Sequence, residues 1–225
     1  RGLGDVYKRQ AYVSWKIKKC NPRANIVITP SDHVVKDVKQ FGQAVSECME
    51  FTAETDSIVT LGIRPTAPET GYGYIEADLS YASSRSQNIF RVDSFKEKPS
   101  LDLAKQYVSK NNYFWNAGIF IWSVQTIVNA FRVYQPSMAR MFEEITPKLG
   151  TADEKESIAE VYSKIESISV DYAIMEKAEE IFVYQASFDW SDVGTWGALK
   201  NQIENDVHGN AVVGDVDLYE TNNCI

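Results

Sequence analysis

Three short stretches near the start of the chain constrain its fold more than any other feature. Ile26-Val27-Ile28 is a brief apolar run closed by Thr29-Pro30, the pattern of a strand buried on both faces. Val38, Phe41, Val45, Cys48 and Met49 then recur at helical spacing and mark the buried stripe of an amphipathic helix. Ser57 to Ile63 returns to a continuous apolar run, a second buried strand. Strand, helix and strand in this order point to an α/β fold with a mostly parallel sheet and helices on both faces, where ligands sit beyond the carboxyl ends of the strands.

The remainder continues the alternation. Further strands are expected around Gly73 to Glu76, Ile89 to Phe95, Gly118 to Trp122 and Ile181 to Gln185, and Ala11 to Cys20 suits the end of a helix. From Val124 to Ile165 the pattern is helical, with Ile158, Val161, Tyr162 and Ile165 on one stripe and Pro136 and Pro147 at helix boundaries. Beyond His208, Val-rich pieces from Ala211 to Val216 broken by Gly and Asn read as the start of a small β module over 208–225. The first ten residues, RGLGDVYKRQ, fit no periodic pattern and are set aside as a foreign leader, which leaves 11–207 as the core domain. Gly2 and Gly4 do not form a phosphate loop, because no strand precedes them and no further glycines follow at the required spacing.

Composition excludes some classes of function. With 225 residues, 44% hydrophobic and 24% charged, the chain has the balance of a globular domain rather than of a disordered segment. A net charge of -8 repels nucleic acid, so a phosphate-bearing ligand must be met by local cations or a metal. No apolar run approaches the ~18 residues of a membrane span, and no apolar signal-peptide core is present. Cys20, Cys48 and Cys224 are odd in number with no close pair, which suits packing roles in a reducing, cytoplasmic compartment.

Five segments carry candidate chemistry. Pro30-Ser31-Asp32-His33 places a carboxylate and an imidazole just past a strand end, although spacing alone favours Asp32 as a turn cap and His33 as a satisfied structural residue. Pro68-Glu69-Thr70-Gly71-Tyr72-Gly73-Tyr74-Ile75-Glu76 lets backbone and aromatic faces approach a sugar ring, or is an ordinary turn leading into a strand. Phe95-Lys96-Glu97-Lys98-Pro99 offers a lysine point charge for phosphate and a carboxylate for hydroxyls, or a solvated strand end. In Trp115-Asn116-Ala117-Gly118-Ile119-Phe120 an amide precedes a buried run and can both donate to and accept from a polyol. In Phe188-Asp189-Trp190-Ser191-Asp192-Val193-Gly194-Thr195-Trp196, Asp192 reads as a helix cap, or, should it converge with Asp32, as half of an oxygen pair suited to Mg²⁺.

Taken in this order, and with Arg64-Pro65-Thr66 ahead of PETGYGYIE, the five segments resemble the mannose-1-phosphate guanylyltransferase family from about Ala11 to Ile225. The resemblance implies a Rossmann-like α/β/α nucleotidyltransferase core. It also implies an Mg²⁺-dependent enzyme that joins GTP and mannose 1-phosphate into GDP-mannose and releases pyrophosphate. By the same resemblance Asp32 and Asp192 are the catalytic metal carboxylates, Thr70, Gly71, Tyr72 and Gly73 the sugar-side loop, Lys98 the sugar-phosphate ligand, and Glu97 and Asn116 the hydroxyl ligands. The tail from Gly209-Asn210 to Asn222 resembles the junction to the family's β-helical extension. The family's N-terminal glycine-rich segment, which holds the triphosphate and largely sets base selection, has no counterpart, so little or no activity is expected from these 225 residues alone. Another hexose 1-phosphate or nucleotide, or a non-catalytic sugar-nucleotide sensor, are the competing readings, and a homo-oligomer is open to the chain.

Overall fold

A computed structural model describes the backbone of residues 3–83 and 86–225. The chain runs α1 (Leu3–Cys20), β1 (Asn25–Ile28), β2 (Val34–Val35), α2 (Val38–Glu54), β3 (Ile58–Ile63), β4 (Tyr74–Ser83), β5 (Ser86–Lys96), α3 (Leu101–Val108) and β6 (Tyr113–Ser123). It continues through α4 (Val124–Tyr134), α5 (Pro136–Ile145), a 3-10 turn (Thr146–Lys148), α6 (Glu154–Lys164), a π-helical turn (Asp171–Met175), β7 (Ile181–Ala186), β8 (Trp190–Ser191) and α7 (Trp196–Lys200). Pro136 stands at the first turn of α5 and Pro147 in the 3-10 turn, where the missing amide hydrogen costs nothing.

The main sheet has the order β1-β6-β3-β7-β5-β4, and β4 also pairs with β6. It is mixed rather than mostly parallel: β3 with β7 is a parallel ladder, whereas β1–β6, β3–β6, β4–β5, β4–β6 and β5–β7 are antiparallel. The crossover β1–α2–β3 does leave β1 and β3 running the same way, as the helix–strand alternation predicts. Between them, however, lies the 11-residue β6, antiparallel to both. Adjacency in sequence is therefore not adjacency in the sheet. The carboxyl ends of β1, β3 and β7 still share one edge.

Side-chain alternation along the strands builds a core on each face. Ile58, Phe114, Phe120, Trp122, Ile181 and Val183 face α1, α4 and α5, while Val59, Leu61, Trp115, Ile119, Phe182 and Tyr184 face α2. The α/β/α layering follows. On the first face Trp15 of α1 is 2% exposed, its ring 5.5 Å from Phe142 and 5.5 Å from Phe131. Trp15→Ala should cost about 3–5 kcal/mol by loss of burial and creation of a cavity, read as a lower urea midpoint at unchanged slope. A loss below about 1 kcal/mol would mean that α1 does not dock as described.

Several expectations shift. Helix α1 starts at Leu3, inside the ten residues that show no periodicity, and Arg1 and Gly2 lie outside the described residues. Between 201 and 225 the Val-rich pieces form no named strand among the described residues, only an isolated bridge of Asn205 with Ala211. Cys48 is a packing residue, but Cys20 and Cys224 are exposed. No helix among the described residues is long and apolar enough to cross a membrane.

Candidate active site

β1 ends at Ile28 and releases the chain into Thr29 to His33, and β7 ends at Ala186 and releases it towards Asp192. These segments meet because β2 pairs antiparallel with β8, Val34 opposite Ser191 and Val35 opposite Trp190. Trp190 Nε1 donates to His33 Nδ1 at 3.2 Å, and the two rings meet edge to face with centroids 5.2 Å apart. With Nδ1 accepting, neutral His33 carries its proton on Nε2. Burial lowers the His33 pKa, and the charges of Asp32 and Asp192, with a backbone hydrogen bond at Ala117, oppose that shift. Both carboxylates therefore lie within electrostatic reach of one imidazole.

Neither acid serves as a helix cap. Asp37 caps α2 by accepting from Gln40 N at 2.9 Å, and Thr195 caps α7 by accepting from Ala198 N at 3.1 Å. Asp192 Oδ1 accepts instead from Gly194 N at 3.0 Å and from the Tyr72 hydroxyl at 2.8 Å. Burial first, and then that bond to Asp192, raise the Tyr72 pKa and keep the phenol protonated as donor. The Tyr72 ring contacts both Trp115 and Trp190, with centroids 5.1 and 5.5 Å away. Asp32 is exposed and lines a cleft of about 580 Å³ together with His33, Gly118, Phe120, Ser169 and Asp171.

From Tyr72 the site continues through Gly73. A Cβ at Gly73 would stand 2.5 Å from Glu97 Oε2 and 3.4 Å from Asn116 Cβ, so the missing side chain is what allows these two residues to meet. Asn116 N donates to Gly73 O at 2.8 Å. The Asn116 side chain accepts at Oδ1 from Thr60 Oγ1 at 2.9 Å and Gly118 N at 3.1 Å, and donates from Nδ2 to Asp171 Oδ1 at 3.1 Å. Burial pushes the Glu97 pKa up to about 7, the nearby Asp171 charge adds to the rise, and Lys98 opposes it. Burial also raises the pKa of Asp171. Lys98 Nζ lies 3.9 Å from Glu97 Oε1 and is otherwise directed to solvent, 47% exposed.

The backbone is strained at two points of this region. Lys98 has φ 46° and Val193 has φ 52°, in the left-handed region that side chains avoid, most of all when β-branched. Each strained residue adjoins or carries one of the charged groups. Of the residues singled out in the sequence, Asp192, Tyr72, Gly73, Glu97, Lys98 and Asn116 fall into one connected belt, whereas Asp32 stands apart from it, sharing the cleft with Asp171 and acting with Asp192 on the charge of His33. Thr70 and Gly71 lie at its exposed outer lip, and no atom comes within 4 Å of a Cβ built on Gly71. Thr60 and Asp171 were not singled out. Thr60 sits in an apolar run without a polar signal, and an acid ahead of Tyr-Ala-Ile-Met has the signature of a helix start.

The structure thus defines an α/β/α protein with a cleft past the carboxyl end of β1, lined by Asp32, His33 and Asp171 and by Arg9 and Gln10 of α1, and a polar belt that runs from Asp171 through Asn116 to Asp192. The nucleotidyl transferase family profile matches residues 10–208, and the chain belongs to that family. It is 32% identical over 214 residues to a mannose-1-phosphate guanylyltransferase of Escherichia coli, covering 92% of this chain and 45% of that protein. It is 36% identical over 192 residues to the xanthan biosynthesis protein XanB of Xanthomonas campestris pv. campestris, covering 85% of this chain and 40% of the other. Among solved structures, one described as a mannose-1-phosphate geranyltransferase from Thermus thermophilus superposes with a TM-score of 0.78 at 33% identity, over 93% of this chain and 58% of that one. The chain spans less than half the length of these two curated relatives.

Proposed function

We propose that this chain forms the sugar-side and metal-binding part of an enzyme that transfers GMP from GTP to mannose 1-phosphate, yielding GDP-mannose and pyrophosphate. The observation that carries the reading is the belt from Asp192 through Tyr72, Gly73, Glu97 and Asn116 to Asp171, whose last member lines a cleft with Asp32, together with the activity named for the Escherichia coli relative. In this reaction a sugar-phosphate oxygen bonds to the α-phosphorus of GTP as the bond to the β-phosphate oxygen breaks. Little covalent work falls to the protein beyond positioning and charge neutralisation.

Each residue has a task matched to its chemistry. Lys98 offers an ammonium to the sugar phosphate, Glu97 accepts from sugar hydroxyls when ionised, and the Asn116 amide addresses a further hydroxyl. Tyr72 holds the Asp192 carboxylate in place. Asp32 and Asp192 are hard oxygen donors suited to Mg²⁺. An ion held there would share its coordination with the substrate phosphates. When bound, Mg²⁺ would supply charge neutralisation at the phosphates.

Titration calorimetry tests the sugar side directly. In Mg²⁺-containing buffer the chain should bind mannose 1-phosphate more tightly than glucose 1-phosphate, and absence of saturable binding by any hexose 1-phosphate would remove the reading. Lys98→Ala should weaken mannose 1-phosphate binding by roughly 10- to 100-fold, the worth of a charge-assisted contact. Binding of free mannose, which has no phosphate, should not respond to that substitution.

A further inference from the structure

Asn116 is the one amide in the belt, and its two polar atoms are hard to tell apart by shape alone. Its surroundings settle the choice. Oδ1 faces the backbone amide of Gly118, which can only donate, and the hydroxyl of fully buried Thr60 on β3, whose one hydrogen also has Ile119 O within 3.2 Å, so the Gly118 amide turns the nitrogen the other way, towards Asp171 Oδ1. Three elements thus hold one side chain: β3, β6 and the π-helical turn that begins at Asp171. An amide nitrogen carries two hydrogens, and Asp171 takes one. Among the described residues Asp171 is the acceptor bonded to Nδ2, and the second hydrogen is the one that would address a ligand oxygen.

We infer that Asp171 is a positioning residue that fixes the orientation of the Asn116 amide, and through it the discrimination between hexose 1-phosphate epimers. Epimers differ only in where one hydroxyl points, so a donor can tell them apart only if its own direction is fixed. Thr60 and Gly118 fix the carbonyl end. They leave rotation about the last bond opposed from one side only, and the Asp171 acceptor supplies the opposing hold. Asp171 also lines the cleft with Asp32 and Ser169, so its turn joins the wall of the site to the sheet beneath. The inference rests on the hexose 1-phosphate reading of the site, but the orientation of Asn116 is measurable without any sugar.

Two substitutions separate the possibilities. Asp171→Ala removes the acceptor, whereas Asp171→Asn keeps one acceptor oxygen while removing the charge and exchanging the second oxygen for an amino group. Calorimetry gives the ratio of mannose 1-phosphate to glucose 1-phosphate affinity for each. In Asp171→Ala the ratio should fall about 5- to 10-fold towards unity, the loss of one oriented hydrogen bond, and Asp171→Asn should restore it to within about twofold. Thermal unfolding confirms that both variants fold. The Asn116 side-chain amide resonances, observed by ¹⁵N–¹H NMR without ligand, should shift in Asp171→Ala and return towards their original positions in Asp171→Asn. An unchanged ratio in Asp171→Ala, a ratio lost equally in both variants, or unmoved resonances would overturn the inference. If the unsubstituted chain binds no hexose 1-phosphate while the resonances behave as expected, the functional reading fails and the positioning role of Asp171 stands, without its consequence for epimers.

Discussion

Replacing Asp192 by Asn, in a full-length enzyme that also carries the triphosphate-holding segment, should lower Mg²⁺-dependent formation of GDP-mannose by roughly 10²–10⁴-fold, the several kcal/mol that a well-placed metal contributes at a transferring phosphoryl group. Asn has the shape of Asp and retains an oxygen for the Tyr72 hydroxyl and the Gly194 amide, which Asp192 Oδ1 now serves. The fold should therefore persist, with a melting temperature within a few degrees of the original. What is lost is the negative charge and one of the two oxygens, and a hard cation calls for both. An Mg²⁺ titration of pyrophosphate release reads the effect. Wild-type turnover at ordinary Mg²⁺ concentration would take Asp192 out of the metal site.

Glu97→Gln should do two opposite things. Burial and the nearby Asp171 raise the Glu97 pKa from 4.5 to about 7. Between those values the folded chain keeps a proton that the unfolded chain has released, so this group's contribution to stability falls as pH rises through the window and is lost above about pH 7. Gln carries no charge to desolvate. The substitution should raise unfolding free energy by about 1–3 kcal/mol at pH 8 and leave it unchanged near pH 4, after allowance for solvent screening. Affinity for mannose 1-phosphate moves in the other direction. It should rise from pH 6 to pH 8 in the original chain as Glu97 ionises and becomes an acceptor, and be about tenfold weaker and flatter with pH in Glu97→Gln. Denaturant melts and calorimetry at these pH values measure both, and a pH-independent difference in stability would show that Glu97 titrates alike in the folded and unfolded chain, so that burial does not raise its pKa.

Much of this architecture could be read from the residues, for definite reasons. The runs at 26–28, 58–63 and 181–185 are strands because they are mostly apolar and lack the helical period, and β3 is indeed buried along its whole length. What the runs could not reveal is which strand lies beside which. β6 carries apolar residues on both faces, so it fits a central position in either direction, and only the assembled chain places it between β1 and β3. The candidate site divides in the same way. Asp32, Glu97, Asn116 and Asp192 stand at ends or turns of apolar runs, where a polar side chain calls for explanation. Asp171 shares the local appearance of any acid at a helix start, and Thr60 is hidden in the middle of a strand. Their significance lies in what they touch across the fold, at sequence separations of 55 and 56 residues from Asn116.

The two-residue ladder of β2 with β8 has a consequence for how the molecule matures. His33 and Trp190 are 157 positions apart, and a contact that distant carries a large loop-closure cost until the intervening chain has folded. During synthesis, the loop bearing Asp32 emerges long before its counterpart and has nothing to close against. Ligands that bridge the two loops can therefore bind only the completed domain, and by mass action they favour it, by about 2.7 kcal/mol at a concentration one hundred times the dissociation constant. A cell rich in the substrates of this domain would thereby also be protecting it from unfolding and proteolysis.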